Sequence, residues 1–494
     1  MTVNPKKLRP YDQPPKRRRK LIPDAPDSAA TGFFIAAALW LAVATGLGTL
    51  AIGMRLITLE FSFPLLFGFS FEFDQRRVDY AFVNASVYGW LSNAGFAAVA
   101  FMTPRLIGRR MAMEPLLMLG LLAWNMSLAG GIAALYVFDL GPNAPLSALP
   151  WLIDGGLATG ALIVTGVFLL TAAASLRTGY VSLWFAAVAL LALAGLTGLN
   201  ALVGLLEWIL NLQELPVALA SAFVERAIPV MWLLGIAYAV LHYVVPRATG
   251  QPLASAGIGM LSFLTWLVLA PAAGLATLVD ISIPFAITSL GNVANMLLLV
   301  PAALTVINLV QTMRGRWALL FGSGTVAFAA VSIVFLLAVS LLDAIGSLRT
   351  VQELVGRTDW ERGAFLWAAY GTFTFAAFAL ADHALPRILR RAWGGGFLSG
   401  AQLWLAFGGV TLAGLALMGG GMAEGSLLAA GTAPDEVDAV LLVYRAVAFL
   451  GFGMVALAGL AFLLNLFLMY TSGEPVEYAV PATPATTAPA AAGQ

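Results

Sequence analysis

Three stretches decide the fold: Phe101–Met111 (FMTPRLIGRRM), His242–Ser255 (HYVVPRATGQPLAS) and His383–Trp393 (HALPRILRRAW). Each closes a long apolar run with the pair Pro-Arg, at Pro104-Arg105, Pro246-Arg247 and Pro386-Arg387. By their numbers the prolines lie 142 and then 140 residues apart. That spacing predicts one cytoplasmic punctuation mark for every four membrane spans.

The surrounding composition requires a membrane. The 494 residues are 60% hydrophobic and only 10% charged, where soluble domains carry roughly 25% charged residues. No cysteine is present, which excludes disulfides, thiolate metal sites and iron–sulfur clusters. A net charge of +1 gives no sign of nucleic acid as a partner. All four lysines (Lys6, Lys7, Lys16, Lys20) fall at the start, beside Arg17, Arg18 and Arg19. Residues 1–30 read as a disordered basic cytosolic arm, not as a signal peptide. Residues 473–494 read as a disordered Pro/Ala/Thr-rich tail.

A spanning helix takes about 20 apolar residues. The domain 31–472 holds twelve such runs, at 31–55, 79–103, 114–138, 157–176, 181–206, 218–245, 255–279, 285–311, 317–342, 363–385, 398–422 and 439–470. With the amino terminus inside, the inner loops collect Arg105, Arg109, Arg110, Arg177, Arg247, Arg314, Arg316, Arg387, Arg390 and Arg391. The outer loops collect the acids, among them Asp139, Asp154, Glu207, Glu214, Asp280, Asp343, Asp359 and Glu424. Arg55, Arg76, Arg77, Arg349 and Arg357 are exceptions on the outer side. The positive-inside rule therefore predicts a multi-pass protein with both termini cytoplasmic. The expected location is the plasma membrane of a prokaryote. The aromatic segment 58–78 is expected to be an interfacial outer loop. Fifty glycines predict closely packed helices.

The Pro-Arg stretches, together with Tyr88–Arg110 and Thr358-Asp359-Trp360 followed by Gly363, resemble the catalytic subunit I of the heme-copper oxidases. The cbb3-type cytochrome c oxidase is the closest type. The resemblance implies an all-α fold of twelve transmembrane helices in three four-helix arcs with pseudo-threefold symmetry. It also implies heme and copper, held by histidines at set positions. Carried onto this chain, those positions are Phe82 in the second span, Arg226 in the sixth, Ala272 and Ala273 in the seventh, and Ala364 and Leu366 in the tenth. None is a histidine. No heme or metal is therefore expected, and no catalytic residue is singled out.

The chain has only two histidines, His242 and His383, four and three residues before their prolines. They are expected to be interfacial helix-end residues, favoured there by the helix dipole. Arg226 is the one charge among the vacated positions. It either snorkels to the outer interface or replaces the lost copper charge, with Glu207 or Glu214 as partner. Tyr80, Asn84, Ser86, Tyr88, Ser92, Asn93, Asn125, Ser127 and Asn200 are expected to hydrogen-bond between helices. The mixed-sign loop 343–362 is expected to be solvated, or to dock an extracytoplasmic partner such as a cytochrome c domain.

The leading function is a non-catalytic accessory or scaffold subunit of a respiratory electron-transport complex, with other subunits of that complex as partners. One alternative is an active terminal-oxidase subunit with unusual ligands such as Met102, Met111, Met113, Met118 or Met126. Another is a transporter or channel, which the four-span period and the scarcity of deep ionisable residues disfavour.

Overall fold

The computed structural model describes residues 24–57, 59–65, 69–138, 140, 144–176, 179–211, 214–276 and 284–476. Most of the basic arm, most of the tail, and Asp139, Arg177 and Asp280 lie outside them. Twelve long helices run through the described residues. They are α1 (Ser28–Gly53), α2 (75–107), α3 (Glu114–Ala134), α4 (Trp151–Ala172), α5 (Val181–Leu210), α6 (Leu215–Thr249), α7 (Ala256–Ala273), α8 (Phe285–Thr312), α9 (Gly324–Gly346), α10 (Asp359–Leu389), α11 (Gly396–Ala429) and α12 (Pro434–Ser472). Eleven of them are long and apolar enough to cross a membrane. The twelfth, α2, is more polar.

Burial explains that polarity. Every residue from Asn84 to Pro104 is buried, so α2 faces other helices and not lipid. Its polar groups bond across the bundle, as expected. Ser86 shares a hydrogen bond with the Tyr370 hydroxyl at 2.7 Å. Tyr88 donates to the Leu146 carbonyl at 3.1 Å. Asn93 and Asn125 exchange amide hydrogen bonds of 3.0 and 2.9 Å. In α6 and α10, too, the most apolar stretches are largely buried, at 89% and 72% of residues, against 28–56% in the other nine candidate spans. The three helices that end in Pro-Arg thus form the interior.

These three helices share two further irregularities. Each contains a π-helical turn, at Ala85–Leu91, Ile228–Leu233 and Trp367–Phe373. Such turns widen the helix by one residue. The widened turns leave carbonyls that hydroxyls five residues later can reach: Ser92 bonds Val87 O and Thr374 bonds Ala369 O, both at 2.8 Å. Each helix also stops four residues after its proline in a left-handed residue, Gly108 (φ 68°), Gly250 (φ 66°) and Arg390 (φ 53°). The next loop is tied the same way three times. The backbone N–H of Ala112 donates to Thr171 Oγ1 at 3.0 Å, that of Ala254 to Thr312 Oγ1 at 3.0 Å, and that of Gly394 to Asn465 Oδ1 at 3.1 Å.

The structure differs from the sequence reading in several places. Segment 58–78 is not a plain loop. It holds an antiparallel hairpin, Phe61–Pro64 (β1) with Ser70–Phe73 (β2), and then the start of α2. Alternate phenylalanines share one face of the hairpin: Phe61 stacks on Phe73 at 4.7 Å and Phe63 on Phe71 at 4.9 Å. Phe71 also stacks on Tyr136 at 5.5 Å. Burial, and then the nearby Asp74 charge, push the Tyr136 phenol up to about 12. Helix α8 is interrupted at Leu298; Pro301 has no N–H to continue the backbone ladder there. Helix α1 begins at Ser28, inside the span assigned to the arm, and Asp27 is buried against Arg105.

Candidate functional site

Phe82 lies near the opposite end of α2 from Pro104. Its ring is stacked on Tyr370 at 6.1 Å and set edge-on to Phe365 at 5.8 Å and to Phe452 at 5.5 Å. The fit is close: a Cβ added at Gly48 would stand 2.5 Å from the Phe82 ring and 2.3 Å from that of Phe452. The position that the resemblance assigns to a heme ligand is thus packed between α1, α10 and α12 by apolar contact. On α10, Ala364 is half-buried and Leu366 buried, and neighbouring Gly363 rests on the Gly414 carbonyl of α11. On α7, Ala272 is half-buried and Ala273 fully buried.

Arg226 is not free at the interface. It donates to Asp343 Oδ2 at 2.8 Å and to Asn295 Oδ1. The partner is therefore a carboxylate of α9 and not Glu207, while the side chain of Glu214 lies outside the described residues. The guanidinium joins α6 to α8 and α9, and Asn295 is itself held by Ser347 at 2.7 Å. The six positions thus fall into different contacts: Phe82 meets α10 and α12, while Arg226 meets α8 and α9.

Further toward the same end of α2 as Phe82 lies a cluster of ion pairs around Asp359. Asp359 is only 2% exposed and accepts from Arg362 at 2.9 Å and Arg445 at 3.1 Å, with Arg55 at 3.6 Å. Arg55 also pairs with Asp79 at 2.6 Å. Arg445 reaches Asp438 at 3.0 Å, and the Asp359 N–H is capped by Glu424 at 3.0 Å. Burial lowers the Arg55 pKa, while Asp79 and Asp359 oppose that shift. Three arginines and three aspartates thus join α1, α2, α10 and α12 at the end of the bundle opposite the Pro-Arg turns.

The cluster corrects the reading of 343–362 as a solvated loop at Asp359 alone, since Arg349, Glu353, Arg357, Glu361 and Arg362 are exposed as expected. Thr358 caps α10 by accepting from Trp360 N–H, which fixes Asp359 inward at the first turn. It also explains an exception to the charge rule, since Arg55 is neutralised where it stands. Arg77 is likewise spent on Asp74, Glu72 and two backbone carbonyls, and Arg349 lies over the Phe285 ring at 3.9 Å. The sequence signal for the cluster was the set of outlying arginines on an acidic face. Their convergence on one aspartate was not legible.

Both histidines lie in the last two turns of their helices and are buried within the bundle. His242 bonds the Tyr238 carbonyl through Nδ1 at 2.8 Å and stacks on Phe185 at 5.6 Å. His383 packs edge-on to Phe101 at 6.2 Å and to Tyr243 at 6.0 Å. At this end the three Pro-Arg arginines converge. Arg105 pairs with Asp27 at 2.8 Å, Arg247 lies over the Tyr243 ring at 5.5 Å, and Arg387 donates to the His383 carbonyl.

Eleven candidate spans define a multi-pass integral membrane protein, and the three irregular interior helices ending in Pro-Arg carry its resemblance to oxidase subunit I. Comparison with known proteins agrees. Over residues 28–454 the chain matches the family "Cytochrome C and Quinol oxidase polypeptide I", and it belongs to that family. Over 152 residues it is 26% identical to the cbb3-type cytochrome c oxidase subunit CcoN1 of Stutzerimonas stutzeri. That match spans 31% of this chain and 32% of the relative's length. A heme-copper terminal oxidase dimer solved by cryo-EM has the same fold, with a TM-score of 0.74 at 14% identity, over 92% of this chain and 86% of that one.

Proposed function

We propose that this chain is a subunit I whose fold is kept without heme or copper of its own, and that it serves as an accessory or scaffold subunit of a respiratory electron-transport complex. The observation that carries this reading is the packing of Phe82. A phenyl ring offers no lone pair to iron, and here three aromatic rings surround it. The other implied ligand positions hold Arg226, Ala272, Ala273, Ala364 and Leu366, of which the arginine is engaged by Asp343. Heme-protein iron is ordinarily held by His, Cys, Met or Tyr. Among the described residues, no group of three His, Cys, Asp or Glu side chains stands close enough to hold a metal ion.

In this reading all twelve helices span the membrane, in three four-helix arcs related by a pseudo-threefold axis. The recurring π turns, left-handed caps and loop ties support it. So does a ring of Leu91, Leu233 and Phe373 around a small apolar gap of about 20 Å³ between α2, α6 and α10. The Pro-Arg ends and both termini face the cytoplasm of a prokaryotic cell. Other oxidase subunits contact the outer face, a cytochrome c domain among them.

The test is a pyridine-hemochrome and reduced-minus-oxidised spectrum of the purified protein, with iron and copper quantified. The expected result is heme and metal far below one per chain. Stoichiometric heme would overturn the reading and direct attention to the methionines and tyrosines.

A further inference from the structure

At the end of the bundle opposite the Pro-Arg turns, a cavity of about 480 Å³ opens among α3, α4, α5 and α6. Small-molecule sites occupy about 300–1,000 Å³. Most of its polar lining is already committed. Asn200 accepts from Ser147 at 3.1 Å and donates to the Leu146 carbonyl at 2.9 Å, and Ser221 accepts the Ala144 N–H at 3.0 Å. Two carboxylates remain, Asp154 and Glu207, and no basic side chain lines the cavity among the described residues.

Asp154 is the informative one. It is 2% exposed, and its Oδ1 has no hydrogen-bond partner. A buried carboxylate oxygen normally has a donor or a cation beside it, because leaving it bare is costly. Trp151 and Trp208 line the same cavity, with ring centroids 5.7 Å apart and planes inclined by 32°. Indole faces attract organic cations. Gly204 makes room for this arrangement, since a Cβ there would meet Trp151 at 2.8 Å. Hard metal ions are a poorer match, because they take about six or more oxygen ligands and this cavity offers two carboxylates and indole walls.

We propose that this cavity binds an ammonium group, with Asp154 as its counter-ion and Trp151 and Trp208 as its aromatic wall. A free quaternary or primary ammonium and the amine of a lipid headgroup share that chemistry. The site is independent of whether the chain carries heme.

The test is calorimetric titration of tetramethylammonium chloride into the delipidated full-length protein, with sodium chloride as control. Saturable binding is expected for the native chain, weakened about tenfold or more in Asp154→Asn and several-fold in Trp208→Ala. Trp208 is 70% exposed, so the second variant keeps the test decisive if the first does not fold. Native mass spectrometry before delipidation distinguishes the sources. Retained phosphatidylethanolamine that tetramethylammonium displaces assigns the site to a lipid amine; saturable binding with no retained lipid assigns it to a free ammonium. No saturable binding to the native chain, or equal binding by both variants, would overturn the proposal.

Discussion

At the Pro-Arg end, three helices repeat one local solution: proline in the last turn, a left-handed cap four residues on, and a loop N–H tied to a side chain of the fourth helix of its group. At the opposite end the corresponding helices solve the problem in three unrelated ways. Helix α2 places Phe82 in an aromatic box. Helix α6 pairs Arg226 with Asp343. Helix α10 buries Asp359 among arginines. Backbone termination is the same task in each repeat, so the same residues recur. Filling the space between helices depends on the particular neighbours, and there the three helices differ.

The comparison breaks most readily at Asp359. Replacing it with Asn removes the shared negative charge and one acceptor oxygen, and leaves Arg445 with only the exposed Asp438 and Arg55 with only Asp79 as carboxylate partners. Loss of one member of a buried ion pair costs about 3–5 kcal/mol. Thermal unfolding of Asp359→Asn in detergent should show the largest loss of any single change at that end; a shift equal to that of an exposed substitution would mean the cluster does not clamp the helices.

Phe82→Ala comes next. It deletes a ring enclosed by Phe365, Tyr370 and Phe452, and large-to-small core changes of this kind cost about 3 kcal/mol. Chemical denaturation would measure this. A near-neutral result would mean that the ring is not tightly packed, and would remove the main support for a heme-free site.

The smallest effect belongs to the repeated end. Thr312→Val keeps the shape but leaves the Ala254 N–H without its acceptor, at a cost of about 1 kcal/mol. Thr171→Val should match it, because Ala112 is tied the same way at 3.0 Å. If the two differ by much more than their error, the ties are not equivalent.

Much of this was legible in the chain. Pro104, Pro246 and Pro386 with their arginines mark helix ends through local backbone chemistry, which needs no partner to be read. The polar run from Asn84 to Asn93 announced an interior helix for the same reason: side chains of that kind do not face lipid. The helix-end position of the two histidines was legible because distance from a helix end is local, whereas their burial depends on the helices packed around them. Arg226 was recognised as unusual, but Asp343 lies 117 residues away, and no spacing rule links them.

The sequence by itself determined that the chain crosses a membrane many times, the spacing of the Pro-Arg pairs and the family, since each depends on residue type along the chain. Only the tertiary structure decided which charges neutralise each other, where Phe82 packs, and that Asp154 lines the same cavity as two indoles. Those outcomes arise from contacts between helices far apart in the chain, where short-range electrostatics and close packing act only after the bundle has formed.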